Sequence, residues 1–280
     1  MIDLKNVTFS YDSKRRNIVE DLTLQVKQGR VHGLLGKNGT GKTTLLKLIC
    51  GLLFADQGEV KIDDFIPKQR KVDFLSDIFF LPEEFEDIRI SIETYVRINA
   101  KFYPNFSQVD FEQYLNDFEI TDFGQKLSKL SYGTKKKVLI AFGLATHAKY
   151  MLFDEPTNGL DIPSKMQFRK IVIKAMAEQT TMVISTHQVR DLHNLIDNII
   201  IMDKASILLN ATTDSITQKL WFGLQENNEG EPIYKEETIG GNMVVSLNER
   251  SKESNLDIEL LFNAAFANRE KFNEVFKNSK

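Results

Sequence analysis

One cysteine, Cys50, stands in the whole chain, so no internal disulfide can staple the fold. That usage suits a reducing compartment such as the cytosol. Positive charge is not in excess: 36 basic residues face 39 acidic ones, for a net charge of −3. The overall basic face expected of a nucleic-acid-binding protein is therefore missing. No apolar run approaches the roughly 18 residues that a membrane helix needs. The nearest, 196–202, is broken by Asp197 and Asn198. The opening Met-Ile-Asp-Leu-Lys lacks the basic-then-apolar pattern of a signal peptide. Internal repeats and low-complexity tracts are also lacking. What remains is ordinary globular composition, 42% hydrophobic and 27% charged. Its length of 280 residues suits one large domain or one domain with an appendage.

Residues 2–9, 19–26 and 30–35 alternate or run apolar with β-branched residues and predict strands. A glycine-punctuated loop at 36–41 is followed by a predicted helix over 42–50, ending before Gly51. Short strands are expected at 60–62 and 78–81. From about 84 to 146, Tyr, Phe, Leu and Ile recur at three- and four-residue spacing, which predicts a helical insertion. Buried strands are expected at 151–153, 181–185 and 199–202, alternating with helices as a mostly parallel sheet requires. Beyond residue 211 the texture turns polar, with a strand expected at 243–247 and a final helix. That helix carries a stripe of Ile258, Leu261, Ala265, Phe272 and Phe276, suited to core packing.

Two segments carry chemistry. Gly36-Lys-Asn-Gly-Thr-Gly41-Lys42-Thr43 matches the phosphate-binding loop pattern in full. Glycines permit the backbone angles that let N–H groups converge on an anion, and the following helix aims its positive end there. Lys42 would reach the β- and γ-phosphates, and the Thr43 hydroxyl would hold Mg²⁺. The second segment is Lys149-Tyr-Met-Leu-Phe-Asp154-Glu155-Pro156, a buried strand delivering carboxylates at its carboxyl end. Asp154 would complete the Mg²⁺ shell through water, and Glu155 would act as general base on the attacking water.

With those segments, the chain resembles the ABC ATPases over roughly residues 1–210. Leu130-Ser131-Tyr132-Gly133-Thr134 resembles the family's signature, usually Leu-Ser-Gly-Gly-Gln. Asn158-Gly159-Leu160-Asp161 resembles its D-loop, and Ser185-Thr186-His187 its switch histidine. Tyr11 lies where an aromatic ring stacks on adenine. The resemblance implies an α/β fold: a P-loop NTPase core with a mostly parallel sheet, an N-terminal antiparallel β part and an inserted helical subdomain. A small C-terminal α+β extension would occupy 211–280.

It also implies an ATP- and Mg²⁺-dependent ATPase driving transport through a separate integral membrane permease subunit. The chain would then work in the cytoplasm, peripheral at the inner face of the membrane, with no nucleic acid. The residues around ATP would be Tyr11, Gly36, Lys37, Asn38, Gly39, Thr40, Gly41, Lys42, Thr43 and Thr44. Ser131, Gly133 and Asp161 would complete the site across an ATP-dependent homodimer, or a heterodimer with a similar ATPase. His187 would contact the γ-phosphate and sense its loss. The run from Asp154 to Asp161 and the C-terminal extension look most like exporters of drugs, peptides or lantibiotics.

Two departures stand out. The family commonly has glutamine after Leu-Pro, where this chain has Glu83, a carboxylate able to bind the metal but adding negative charge near a triphosphate. Tyr132 and Thr134 replace a glycine and a glutamine in the signature. Lys135–Lys137 are unfavourable at a helix start unless they face an anion, or else they form a solvated face. The rival class is a soluble ABC ATPase acting on ribosomes or DNA. It is weakened by the single phosphate loop and the lack of long heptad coiled coils. A regulator that binds without hydrolysing is opposed by Glu155.

Overall fold

The computed structural model describes residues 1–12, 16–192, 194–225, 231–248 and 253–277. The first part runs β1 (Ile2–Phe9), β2 (Val19–Val26), β3 (Val31–Leu35), α1 (Lys42–Ile49), β4 (Gln57–Ile62), α2 (Val72–Ser76) and β5 (Ile78–Leu81). The insertion supplies α3 (Ile92–Asn99), α4 (Gln108–Asp117) and α5 (Tyr132–Ala145). Then follow β6 (Tyr150–Asp154), α6 (Ile162–Ala175), β7 (Thr181–Thr186), β8 (Asn198–Asp203) and β9 (Ser206–Thr212). The remainder is α7 (Thr213–Lys219), β10 (Leu220–Leu224), β11 (Tyr234–Thr238), β12 (Gly241–Leu247), α8 (Ile258–Ala267) and α9 (Arg269–Lys277).

The central sheet has six strands in the order β5-β6-β7-β3-β8-β9, parallel throughout except for the antiparallel edge strand β9. β3, β6 and β7 are buried at every residue because both faces of the sheet are covered. Successive residues therefore feed two separate cores. Met151, Phe153, Met182 and Ile184 pack with the helical insertion. Leu152, Val183, Ile200 and Met202 pack with α1 and the antiparallel sheet β2-β1-β4. This is the expected α/β P-loop NTPase core with an N-terminal antiparallel part and a C-terminal α+β extension.

Side-chain caps start the helices where the sequence offers Ser, Thr or Asp. Ser91, Ser107, Asp161, Thr212 and Asp257 each accept a backbone N–H from the first turn of α3, α4, α6, α7 and α8. In the insertion, Phe142 of α5 gathers Phe79, Tyr95, Tyr103, Phe106 and Phe111 into one aromatic cluster. Tyr95 is thus core, whereas Phe102 is 67% exposed. Among the described residues no helix is long and apolar enough to cross a membrane.

The C-terminal part differs from its expectation in two ways. The expected strand at 243–247 is the centre of a three-stranded antiparallel sheet, β10-β12-β11. Its neighbours carry too little apolar alternation to announce themselves. The single final helix is instead two, α8 and α9, separated at Asn268, whose φ of −133° leaves the helical region. The stripe survives the break: Ile258, Leu261, Ala265 and Phe272 are all buried in the larger core.

Candidate functional site

The site is assembled by strand order. β6, β7 and β3 are neighbours, with Asp154 opposite Ser185 and Leu35 opposite Thr186. Three loops therefore leave the sheet side by side, roughly 4.8 Å apart at their roots. They are the glycine loop after β3, the acidic turn after β6 and the Ser185–His187 turn after β7.

The glycine loop is tight. A Cβ on Gly36 would lie 2.6 Å from Thr40 Oγ1 and 2.7 Å from the Met202 carbonyl oxygen. Gly41, at φ 101°, is the N-cap of α1 and brings no side chain to that helix end, whose first turn holds no acidic residue. The free N–H groups of the first turn make it an anion-accepting end. Lys42, 6% exposed, folds back so that Nζ donates to the carbonyl oxygens of Gly36 at 2.8 Å and Lys37 at 3.4 Å.

The acids meet this loop. Thr43 Oγ1 donates to Asp154 Oδ2 at 2.7 Å. Lys42 Nζ lies 3.6 Å from Glu155 Oε1, and His187 Nδ1 is 2.9 Å from the same oxygen. A carboxylate oxygen only accepts, so Nδ1 carries the proton and Nε2 is left for another partner. Glu155 Oε2 is buried with no hydrogen-bond partner among the described residues. Ser185 Oγ donates to Asp154 Oδ1 and also accepts the Glu155 N–H at 3.1 Å. Ser185 thereby fixes both acids, a role its place in the sequence did not announce.

A cavity of about 330 Å³ opens over these groups, lined among others by Tyr11, Asn38, Gly39, Lys42, Thr43, Glu83 and Glu155. Tyr11 is 60% exposed, and its hydroxyl lies 3.1 Å from Thr44 Oγ1. Thr40 closes the loop by donating to the Lys37 carbonyl at 2.9 Å. Lys37 is exposed and holds its ammonium 4.9 Å from the Phe266 ring centroid of α8.

The signature residues stand on the neighbouring turn. Ser131 caps α5 by accepting the Thr134 N–H at 3.1 Å, and a Cβ on Gly133 would meet the Gly159 carbonyl at 2.7 Å. Asp161 caps α6, and hydrogen bonding from Ser164 holds its carboxyl below the usual carboxylate range. The lysine run is neither a solvated face nor an anion-facing row. Lys136 is fully buried, while Lys135 pairs with Asp87 at 3.7 Å and Lys137 lies over Phe118. Burial pushes the Lys136 ammonium down to about 8, against the opposing pull of Glu83, Glu155 and Asp154.

Comparison with known proteins shows the family. The family model for ABC transporters matches residues 19–158, half of the chain. The chain belongs to the ABC transporter family. ABC transporter ATP-binding protein YtrB of Bacillus subtilis (strain 168) is 30% identical over 211 residues, which are 74% of this chain and 70% of the relative. ABC transporter ATP-binding protein NatA of the same organism is 28% identical over 225 residues, 77% of this chain and 91% of the relative. A dimeric post-hydrolysis state of the ATP-binding cassette MJ0796 bound to ADP and Pi superposes with a TM-score of 0.66 at 25% identity. That superposition covers 76% of this chain and 98% of the other. The chain is thus an ATP-binding, ATP-hydrolysing ABC ATPase subunit. Its relatives support that level and do not single out drug, peptide or lantibiotic exporters.

Proposed function

We propose that this ABC ATPase binds Mg²⁺-ATP at loop 36–43 and uses its hydrolysis to drive transport, in the export direction, through a separate membrane permease. The carrying observation is the meeting of loop and acids: Thr43 bonded to Asp154, and Lys42 beside Glu155. A hydroxyl next to a carboxylate is a hard-oxygen pair suited to Mg²⁺, which keeps waters and takes its other ligands from phosphate. Thr43 and Asp154 would hold that ion; Glu83 lines the same cavity, with its Oε1 engaged by Asn158 Nδ2. When bound, the ion neutralises charge developing on the transferred phosphoryl group.

The chain's own groups do the rest. The first-turn N–H groups of α1 and the residues from Gly36 to Thr44 cradle the phosphates. Lys42 exchanges its carbonyl partners for phosphate oxygens. Glu155 presents the free Oε2 as acceptor for the proton of an attacking water. His187, held by Glu155 through Nδ1, offers Nε2 toward the γ-phosphate. Tyr11 stacks on adenine.

Ser131, Gly133 and Asp161 act on the nucleotide of a second copy, or of a similar ATPase, related by a two-fold axis. The start of α5 supports this: beyond the Ser131 hydroxyl that caps it, its first turn holds no acidic residue, so the helix end stays positive. Residues 1–210 form the nucleotide-binding domain in this reading, with the helical subdomain at about 84–146 engaging the permease. Residues 211–280 are an appended extension. Such a subunit works in the cytoplasm, held to the inner membrane face by its partner. The export direction rests on the resemblance of the 154–161 run and the extension to exporter ATPases.

Glu155→Gln tests the chemistry. Its amide keeps the shape but cannot take a proton, so turnover falls by about 100-fold or more while Mg²⁺-ATP still binds in calorimetry. Unchanged turnover would remove Glu155 from the mechanism. Absence of binding heat in the unaltered chain would remove the nucleotide site itself.

A further inference from the structure

Glu155 sits in an expensive conformation. Its φ of 45° is left-handed, a strained conformation for a non-glycine residue that persists only where surrounding contacts hold it. On its amide side, the Glu155 N–H donates to the carbonyl oxygen and to Oγ of Ser185, both at 3.1 Å. On its carbonyl side, the oxygen accepts from the Asn158 N–H at 3.2 Å and from Lys136 Nζ at 2.8 Å. The same ammonium donates to the Asn158 carbonyl at 3.1 Å and lies 5.1 Å from the Tyr132 ring centroid. Two carbonyl oxygens and one ring face answer a cation that α5 carries into the core. A buried lysine is tolerable only when satisfied in this way.

Two residues near Lys136, Glu83 and Tyr132, are departures from the family's pattern. Glu83 Oε1 accepts from Asn158 Nδ2 at 2.8 Å. The Glu83 carbonyl accepts from the Tyr132 hydroxyl at 2.5 Å. Tyr132 stacks on Phe85 with centroids 5.2 Å apart and planes within 6° of parallel. Its ring covers Gly159, where an added Cβ would fall 2.6 Å from it. Glu83 and Tyr132, far apart in the sequence, thus touch each other and the same 155–159 turn, where the buried cation meets the Asn158 carbonyl and the Tyr132 ring.

We propose that Lys136, Glu83 and Tyr132 form a knot that positions Glu155, tying the 81–85 loop and the start of the signature helix to the catalytic turn. Lys136 and Glu83 are positioning residues: they act on the reaction through the Glu155 main chain and through Asn158. Lys136 supplies the charge that makes a carboxylate at position 83 tolerable beside Asp154 and Glu155. A shift of the 81–85 loop, or of the helical insertion carrying α5, would be felt first as a change in the aim of Glu155. The inference rests on Glu155 being the general base.

The test is steady-state ATPase kinetics of the full chain, with Mg²⁺-ATP affinity measured by calorimetry. Lys136→Met should lower kcat by about tenfold or more while KM and the calorimetric affinity stay within about threefold. Adding Glu83→Gln to that variant should recover about fivefold of the lost kcat, because the unbalanced carboxylate is removed while an acceptor for Asn158 is kept. A kcat within twofold of wild type in Lys136→Met overturns the proposal. So do Lys136→Met and Glu83→Gln effects that simply multiply. Should Lys136→Met fail to fold, Glu83→Ala against Glu83→Gln decides. The alanine variant should turn over about fivefold more slowly than the glutamine variant, and equal rates overturn the knot. Failure of the underlying reading is separately visible, as Glu155→Gln retaining turnover.

Discussion

β6 is buried at all five residues, whereas four of the five residues of β11 are exposed. The six-stranded sheet is covered on both faces, so its inner strands β3, β6 and β7 are buried along their whole length. Their carboxyl ends are where Gly36, Asp154 and Ser185 lie, and the candidate site residues gather there because parallel strands all finish on one side. The three-stranded sheet has its edge strand charged and outward, with Lys235, Glu236 and Glu237 in the open, and its packing weight falls on β10, β12 and α8. Chemistry needs a rigid doubly covered sheet to aim it; an appended antiparallel sheet needs only one buried face to hold on.

The two sheets nevertheless share a core. Leu261 and Ala264 of α8, and Val245 of β12, belong to the same buried cluster as Phe153 and Ile184. Leu261→Ala is therefore expected to cost about 3 kcal/mol and to lower the melting of the whole chain in one transition. Scanning calorimetry showing an early transition with the remainder at the wild-type temperature would break the comparison in favour of an independent C-terminal unit.

Gly143→Ala sharpens it from the other side. An added methyl in α5 would lie 2.2 Å from Phe79 Cε1, in an aromatic cluster that cannot retreat. Despite the better helix propensity of alanine, a loss of about 2 kcal/mol is expected, read from urea unfolding. A gain in stability would show that the insertion packs more loosely than the sheet it covers.

The smallest effect concerns Asp63, which joins the antiparallel sheet to the central one. Burial opposes its charge, but hydrogen bonds from Lys149, the Met1 ammonium and Tyr150 outweigh it and hold the carboxyl at about 2. Its folded value lies below the ordinary one, so its stabilising effect is complete above about pH 4 and is lost as pH falls toward 2. After solvent screening that amounts to about 1 kcal/mol. Asp63→Asn should flatten the acid limb of a stability-versus-pH curve across that window. An unaltered limb would detach Asp63 from acid unfolding.

Much of the site was readable because its parts are local. A strand, six glycine-spaced residues and a helix define the phosphate loop within one stretch, and the Tyr-Met-Leu-Phe run before Asp154 reads as a short buried strand. The same locality failed for Lys136. Three consecutive lysines read either as facing an anion or as a solvated face, yet the middle one is buried against the 155–158 turn because α5 rotates it about 100° from each neighbour. Glu83 and Tyr132 could each be noticed as unusual, but their contact spans 49 residues of chain. β10 and β11 escaped notice because strands with one light face carry weak alternation. The break at Asn268 was hidden because the apolar stripe continues through it.

The sequence by itself determined the chemistry on offer: a phosphate loop, two acids after a buried strand, a histidine after another, and their order along the chain. Backbone conformation and apolar periodicity encode such features over a few residues, so they survive without knowledge of the rest. Tertiary structure alone decided which groups meet. Strand order set Thr43 against Asp154 and Lys42 beside Glu155, and packing of α5 brought a buried ammonium under the 155–158 turn. Those pairings depend on long-range burial and charge compensation, which have no signature in any single stretch of residues.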